Sequence, residues 1–580
     1  MAAISFKPHV QRPPIPLLSK PRTLITKPRV STQASPTSQL ALSDPFVLQL
    51  AEALEDSLPS SSSYSPPLPL QNLRDSSSEA LLSTPWPSRK DEPFRFTDTS
   101  FIKNSQIQPI SRPPSFPSFL EDTHFPTLVI VDGFVVNFSN LTELPNGVYV
   151  GSLLELSEET IMKRVSEFVS SSCDGDLFWS INGIGAPDLT VIYVPSGCRV
   201  EAPVYLRYFA NEGGEEGSNK LPLSNPRVLV LVEKGGEIGI IEEFFGGDGD
   251  KCYWANSVFE VVVREGGKVR HSYVQNQSLN AAHIKWTWVR QESASTYELV
   301  EVSTGGKLSR HNLHVQQLGP DTITELSTLH LSVGDQTQDL HSSIVLDHPR
   351  GYSRQLHKCI VSHSLGQAVF DGNIKVNRYA QQTDGGQLTR SLLLAPRATV
   401  NVKPNLQIIA DDVKCSHGAA ISDLEESQLF YFQARGIDLE AARKALLFSF
   451  GAEIVKGLGE TLVDALPGPA MSFITKRSNL ESPTVNCSKQ ANRIIQSDSN
   501  AEDLEGYAGA GFYDREKEAH VECLKEKKLF KDTAAKLKAD HEKAFGNDNG
   551  EFGDKSHIVT AQEMEAIILT RSQVIYLSYH

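Results

Sequence analysis

The segment "SVFEVVVREGGKVR" at positions 257–270 decides the fold. A run of β-branched residues ends in a Gly-Gly corner, and a new extended stretch starts at once, leaving no room for a helix. The same unit of hydrophobic strand, glycine corner and strand recurs as "VPSGCRV" (194–200), "VEKGGEIG" (232–239) and "VSTGGKLS" (302–309). Gly197, Gly235, Gly266 and Gly305 mark these corners at uneven intervals. Around them "LTVIYVP", "PVYLRYF", "RVLVLVE", "STYELVEVS", "SSIVLDH", "KCIVSH", "NIKVNRYA" and "TVNVKPNLQIIA" carry the pattern from 185 to 420, almost without helical periodicity. Stacked repeats with no helix between strands point to a β-solenoid or a propeller. Propeller blades keep a near-constant length and these intervals do not. A parallel β-helix is therefore expected over 185–420, its inward Val, Ile and Leu forming a continuous core.

The open end of such a solenoid must be covered or paired. Residues 421–455 read as a pair of C-terminal helices. "SDLE" (422–425) has capping-box spacing with Ser422 as N-cap, Gly436 suits the helix end, and Asp438 would cap "LEAARKALLFSFGAEIV". Their apolar content exceeds what one solenoid end needs, which fits either a groove for a partner protein or packing on the solenoid itself. Upstream, residues 44–126 form an N-terminal helical and linker region. It holds a helix over "SDPFVLQLAEALEDS" (43–57) with Ser43 as N-cap, a Ser/Pro linker, and "PSRKDEPFRFTDTS" (87–100), whose phenylalanines are expected to pack on another part of the chain. Residues 127–184 mix a strand, "TLVIVDGFVV", with a helix around 157–171.

Residues 1–43 contain Lys7, Arg12, Lys20, Arg22, Lys27 and Arg29 and no acid, and are rich in Ser, Thr and Pro. That composition matches an organelle transit peptide, and the prolines favour chloroplast over mitochondrion because they break an amphipathic helix. Residues 456–580 change character again. They read as an atypical extension, a solvated helix over 513–545 or a disordered tail.

The formal net charge of −15 argues against nucleic acid as a partner. No apolar run reaches the length of a membrane span. Seven cysteines without a CxxC pair read as reduced thiols. The sequence lacks GxxxxGK[ST], and with it a P-loop ATP site, and also lacks GxSxG and HExxH.

The densest chemistry is "ADDVKCSHGA" at 410–419. Asp411 and Asp412 are adjacent, so on a strand they point to opposite faces and cannot flank one glycosidic bond; a polar corner is the better reading. Cys415 and His417 are two apart and share a face, with Cα atoms about 6.5 Å apart. Thiolate and imidazole from that spacing could converge on iron or zinc, but two ligands are too few for an ion or a cluster. The competing reading is a buried thiol beside a surface histidine. "RQLHKCIVSHS" (354–364) offers His357 and Cys359 as a secondary pair, with His363 beyond, and "SRHNLHVQQ" (309–317) offers His311 and His314.

The blocks "FDGNIKV", "AQQTDGGQ", "SLLL", "PNLQI" followed by "ADDVKCSHGA", and "QLFYFQARGI" closely resemble the SufD family. The likeness runs from roughly 85 to 455 and includes "KDEPFRFTD". It implies a mainly β fold, a right-handed parallel β-helix of SufB/SufD type with flanking N- and C-terminal helical segments. It further implies a scaffold subunit without ATPase activity that pairs with SufB and binds the ATPase SufC, usually as one SufB, one SufD and two SufC. Such complexes build iron–sulfur clusters and pass them to apo-proteins. Cys415 and His417 would lie near the SufB–SufD interface, sharing iron or a transient cluster with SufB ligands under the control of SufC ATP hydrolysis. The helices at 423–455 would dock SufC, with Leu429, Phe430, Tyr431, Phe432 and Arg435 as the contact residues. With the transit-like leader, the resemblance implies the chloroplast stroma. Residues 456–580 depart from the family pattern. The alternatives are a β-helix glycan hydrolase or lyase, which would want clustered carboxylates and a secretory signal, and a purely structural interaction module without a metal role.

Overall fold

Strand follows strand around a parallel β-solenoid, and each strand pairs with its counterpart one coil away. The computed structural model describes residues 44–58, 66–111, 125–141, 144–169, 175–214, 219–246, 251–463, 471–473 and 484–486. The expected transit peptide (1–43) and the expected helix at 513–545 lie outside these residues.

Alternate strands belong to alternate sheets. The first sheet takes Thr190–Val194, Arg227–Val232, Trp254–Val263, Ala282–Gln291, Leu308–Gln317, Thr337–Leu346, Gln367–Val376 and Thr399–Ile408. The second takes Val204–Phe209, Glu237–Phe245, Lys268–Asn276, Thr296–Thr304, Ile323–Ser332, Tyr352–Val361, Thr383–Leu393 and Val413–Ser422. Pairing is in register through coil after coil: Lys268, Thr296, Ile323, Tyr352, Asp384 and Lys414 form one continuous column. The corners use the expected glycines. Gly305 has φ +75°, and a Cβ built there would sit 1.9 Å from the Gln277 carbonyl oxygen.

The N-terminal end of the solenoid is covered. "TLVIVDGFVV" is a hairpin of two strands, not one: Thr127–Val131 pairs antiparallel with Phe134–Ser139 across a turn at Asp132 and Gly133, both at positive φ. Tyr149–Ser152 pairs antiparallel with Thr190–Val194 at the edge of the first sheet. At the other end, Thr399–Ile408 and Val413–Ser422 pair on one side only among the described residues.

Helices cover both outer faces. Pro45–Ser57 and Leu177–Gly185 pack Val47, Leu50, Leu54, Phe178 and Ile181 with Trp254 and Ile284 of the first sheet. Leu68–Leu81 and Glu159–Val169 pack against Val191, Leu229 and Leu231. The first of these helices is capped by Asp44, whose carboxylate accepts the Phe46 N–H at 3.0 Å; the expected cap, Ser43, lies outside the described residues. The segment with the two phenylalanines crosses the first sheet as a strap: Arg310 stacks on Phe94 and donates to the Pro93 carbonyl, Thr97 donates to Asp339, and Lys403 pairs with Glu92.

On the second sheet, Leu439–Val463 lays Leu447, Phe450 and Ile454 over Val302, Leu329 and Ile360. Asp438 caps it as expected, accepting from the Ala441 N–H at 2.8 Å. The preceding helix, Glu426–Gln433, begins after Glu425 with no side-chain cap. Ser422 instead closes the last strand, because ladder pairing carries the chain straight through it. Gly436 takes φ +78°, and its N–H returns to the Gln433 carbonyl. No helix of the described residues is long and apolar enough to cross a membrane.

The interior departs from the expected all-aliphatic core. Val, Ile, Leu and Phe do line it, but a fully buried ionic cluster interrupts them. Glu242 accepts from Lys285 at 2.7 Å, from Tyr208 at 2.9 Å and from His271 at 2.9 Å. With the His271 Nε2 proton committed to Glu242, its Nδ1 accepts from the Tyr297 hydroxyl at 2.9 Å. Glu301 likewise accepts from His311 and His330, each at 2.8 Å. Burial alone would raise the Glu242 carboxyl, but Lys285 and His271 overcome it and hold it at about 2. Burial pushes His283 down to about 3.

Both shifts have the same sign for acid. Each group binds fewer protons in the folded state than in the unfolded chain, so each contributes stability that is lost as pH falls. Urea midpoints are expected to hold near neutrality and fall continuously from about pH 6.5, where unfolded histidine begins to charge, toward about 3. Lys285→Met leaves Glu242 without its cation and should cost about 3–5 kcal/mol at pH 7. A flat midpoint between pH 7 and 4 would show that the cluster is not coupled to folding.

Candidate functional site

The last strand, Val413–Ser422, carries Cys415 and His417, and the column beneath each defines where it points. Cys415 packs on the inner core cluster, so it faces the solenoid interior, and its column continues through Gly385 to the buried Ser353. His417 is two residues on, on the same inward face, above Gln387 and Gln355. In any earlier coil these positions would be sealed by the next one. Among the described residues no coil follows, and Cys415 is half-buried and His417 exposed. The alternation read from "KCSH" and the missing coil together place a thiol and an imidazole at the mouth of the interior.

Burial pushes the Cys415 thiol above its ordinary value, Asp384 adds to this, and a hydrogen bond involving the Gly385 backbone opposes it. The group is a thiol at neutral pH until a metal or a neighbouring base draws off its proton. Among the described residues, no group of three or more His, Cys, Asp or Glu is arranged to hold a metal ion. Cys415 and His417 are thus two donors of a larger set, and the acids beside them do not enlarge it. Asp411 and Asp412 sit exposed at the corner before the strand, where Asp412 joins the backbone of the previous corner and the Gln381 side chain.

The secondary pair lies elsewhere. His357 and Cys359 face inward together as their spacing predicts, but His357 stacks in register with Thr389 and Ala419, two coils below the mouth. His357 is fully buried, bonded to Thr328 at 2.8 Å and stacked on Phe370. Burial raises the Cys359 thiol to about 11. Between them Lys358 points outward and is locked under the C-terminal helix by Glu453 and the Phe450 carbonyl. His311 belongs to the Glu301 cluster, and His314, three residues on, faces outward against Trp286 and Trp288. Each of these histidines has a structural occupation.

Two surfaces around the mouth are apolar. Ile408, Ile409 and Ile421 on the terminal coil are 45%, 55% and 51% exposed. Ile408 and Ile409 stand in "NLQIIA" and Ile421 in "GAAIS", but an inward or sheet-facing residue becomes a surface residue only where the stack ends. Farther along, Phe430, Tyr431 and Phe448 of the terminal helices stand exposed, whereas Leu429 is buried. Phe432 is half-buried, and the Arg435 guanidinium covers the Tyr431 ring. Of the five residues expected to meet a partner there, Leu429 therefore supports the helix from inside, and Phe430 and Tyr431 form the outer face.

Thiol reactivity provides a direct check on this geometry. At pH 8, maleimide should modify Cys415 in the native protein much faster than Cys359, because Cys415 is reachable at the mouth while Cys359 is sealed inside and its thiol is held up by burial. Peptide-resolved mass spectrometry reads both sites at once. Equal rates would mean that the interior is open at His357 and Cys359 as well.

Comparison with known proteins gives the family of the chain. Residues 214–450 match the family described as SUF system FeS cluster assembly, SufBD core domain, and residues 60–206 match the SufBD N-terminal region. The chain is 66% identical over 444 residues to a chloroplastic protein of Arabidopsis thaliana, ABCI7, covering 76% of this chain and 93% of that protein. It is 34% identical over 404 residues to an iron–sulfur cluster assembly SufBD family protein of Synechocystis, covering 67% and 87% respectively. It is 29% identical over 389 residues to the iron–sulfur cluster assembly protein SufD of Escherichia coli, covering 66% and 87%.

Proposed function

This chain belongs to the SufBD family of iron–sulfur cluster assembly proteins, and from that membership we propose that it is the SufD-like scaffold of a plastid SufBCD-type complex. The observation that carries the proposal is the open mouth of the solenoid. Two strand edges, three exposed isoleucines and an incomplete donor pair all occur on the same terminal coil. A SufB-like subunit docked there pairs the free edges, buries the isoleucines and supplies the missing donors. Iron and sulfide are the cargo of the site, held in transit between Cys415, His417 and the partner.

The chain has no P-loop sequence, so ATP hydrolysis is assigned to a SufC-like subunit. Phe430 and Tyr431 offer it an aromatic face on helices braced against the second sheet. Hydrolysis there shifts the heterodimer and exposes the shared donors, and the finished cluster leaves for apo-proteins. The stroma is the setting that fits a basic, Ser/Thr/Pro-rich leader and the chloroplastic relative. The strongly negative chain does not suit nucleic acid as a partner.

Anaerobic reconstitution of the co-expressed complex tests the site. Cys415→Ser and His417→Ala should each lower bound iron and sulfide at least about 10-fold while leaving subunit association intact. Unchanged iron, sulfide and cluster transfer would sink the ligand role. For the second surface, the double change Phe430→Ala and Tyr431→Ala should weaken recovery of the ATPase subunit at least about 10-fold in pull-downs, with the SufB-like subunit still bound. Retention of all three subunits would remove that face from the docking site.

A further inference from the structure

We infer that Gln387 is the positioning residue for His417: its side-chain carbonyl accepts the imidazole N–H that faces the preceding coil, leaving the other ring nitrogen's lone pair turned to the open mouth. This rests on the ligand role proposed for His417. Gln387 and His417 are register partners on adjacent parallel strands, one rung or about 4.8 Å apart, and both face inward. Gln387 is only 3% exposed, yet its Oε1 is buried without a partner. An unpaired buried carbonyl costs about 1–3 kcal/mol, so it calls for a donor.

The orientation of the amide is set from below. Its Nε2 donates to Gln355 Oε1 at 2.9 Å, and Gln355 Nε2 donates in turn to Ser342 Oγ at 2.7 Å. With Nε2 turned down to Gln355, Oε1 is the amide atom left on the side of the coil above, where His417 is the next side chain in the column. The glycine of "FDGNIKV" makes room for this: a Cβ on Gly372 would lie 2.3 Å from Gln387 Nε2. Ser342, Gln355 and Gln387 therefore form a short amide ladder whose free acceptor ends beneath His417. A metal-binding histidine commonly has its second ring nitrogen held in this way, which fixes the tautomer and the ring plane.

Two measurements on the full chain separate this inference from the ligand reading. In metal-free protein labelled with 15N-histidine, the His417 signals, identified by their loss in His417→Ala, should report a single tautomer. Gln387→Leu should yield a mixture of tautomers, and Gln387→Glu, which keeps an acceptor, should restore the single one. In the co-purified complex, Co(II) titrated anaerobically should give thiolate-to-cobalt absorbance that His417→Ala abolishes, that Gln387→Leu weakens about 10-fold in affinity, and that Gln387→Glu largely rescues. If the His417 tautomer is unchanged in Gln387→Leu, the positioning role is overturned. If the tautomer responds but His417→Ala leaves cobalt binding intact, it is the ligand reading that fails.

Discussion

Every coil of this protein rests on the hydrogen-bonded ladder of the coil before it. A parallel strand cannot satisfy both of its edges alone, so the stack must begin and end somewhere. At the N-terminal end the antiparallel hairpin Thr127–Ser139 and the strand Tyr149–Ser152 take up the free edges. At the other end nothing in the described chain does. The position of the candidate site, its exposed isoleucines and its incomplete donor set all follow from that asymmetry.

The outer layers serve the same ladder. Four helices cover part of one sheet and the long terminal helix part of the other, so much of the outer face of each parallel sheet is shielded from water. The strap through Glu92, Pro93, Phe94 and Thr97 ties successive strands of the first sheet through Arg310, Asp339 and Lys403. The two carboxylates at the centre of the interior are heavily paired: Glu242 has three donors and Glu301 has two imidazoles and a serine. An aliphatic stack tolerates a slip of register, whereas Glu242, Lys285 and His271 meet only when their coils align.

The inner column beneath the mouth continues that logic to the last rung. Gln387 donates down to Gln355 and Gln355 to Ser342, which leaves the Gln387 carbonyl as an acceptor where the chain presents His417. Cys415, beside it, keeps its proton through burial until something at the mouth competes for it. In the proposed role, a donor pair held on one side and open on the other would suit a cargo that must be shared and then released.

Much of this was legible in the residues. Strand alternation is a local property with a period of two, so "KCSH" alone put Cys415 and His417 on one face, and "EGGK" alone turned a corner without a helix. The same locality explains the errors. Ser422 looked like a cap because capping signals are read over four residues, while its strand was being held by Leu392 from the coil below. Cys359, the secondary candidate, has the same two-residue spacing from a histidine as Cys415, and only the coils above it bury it. Likewise no pattern within one strand reveals that Lys285 meets Glu242 or that Gln387 lies under His417. Those pairings depend on how many residues each corner consumes, and hence on the register between segments some thirty residues apart. The sequence by itself determined the coil, its corners and the face of the donors. The tertiary structure decided which end stays open among the described residues, because only the stack determines which of their strands has no successor.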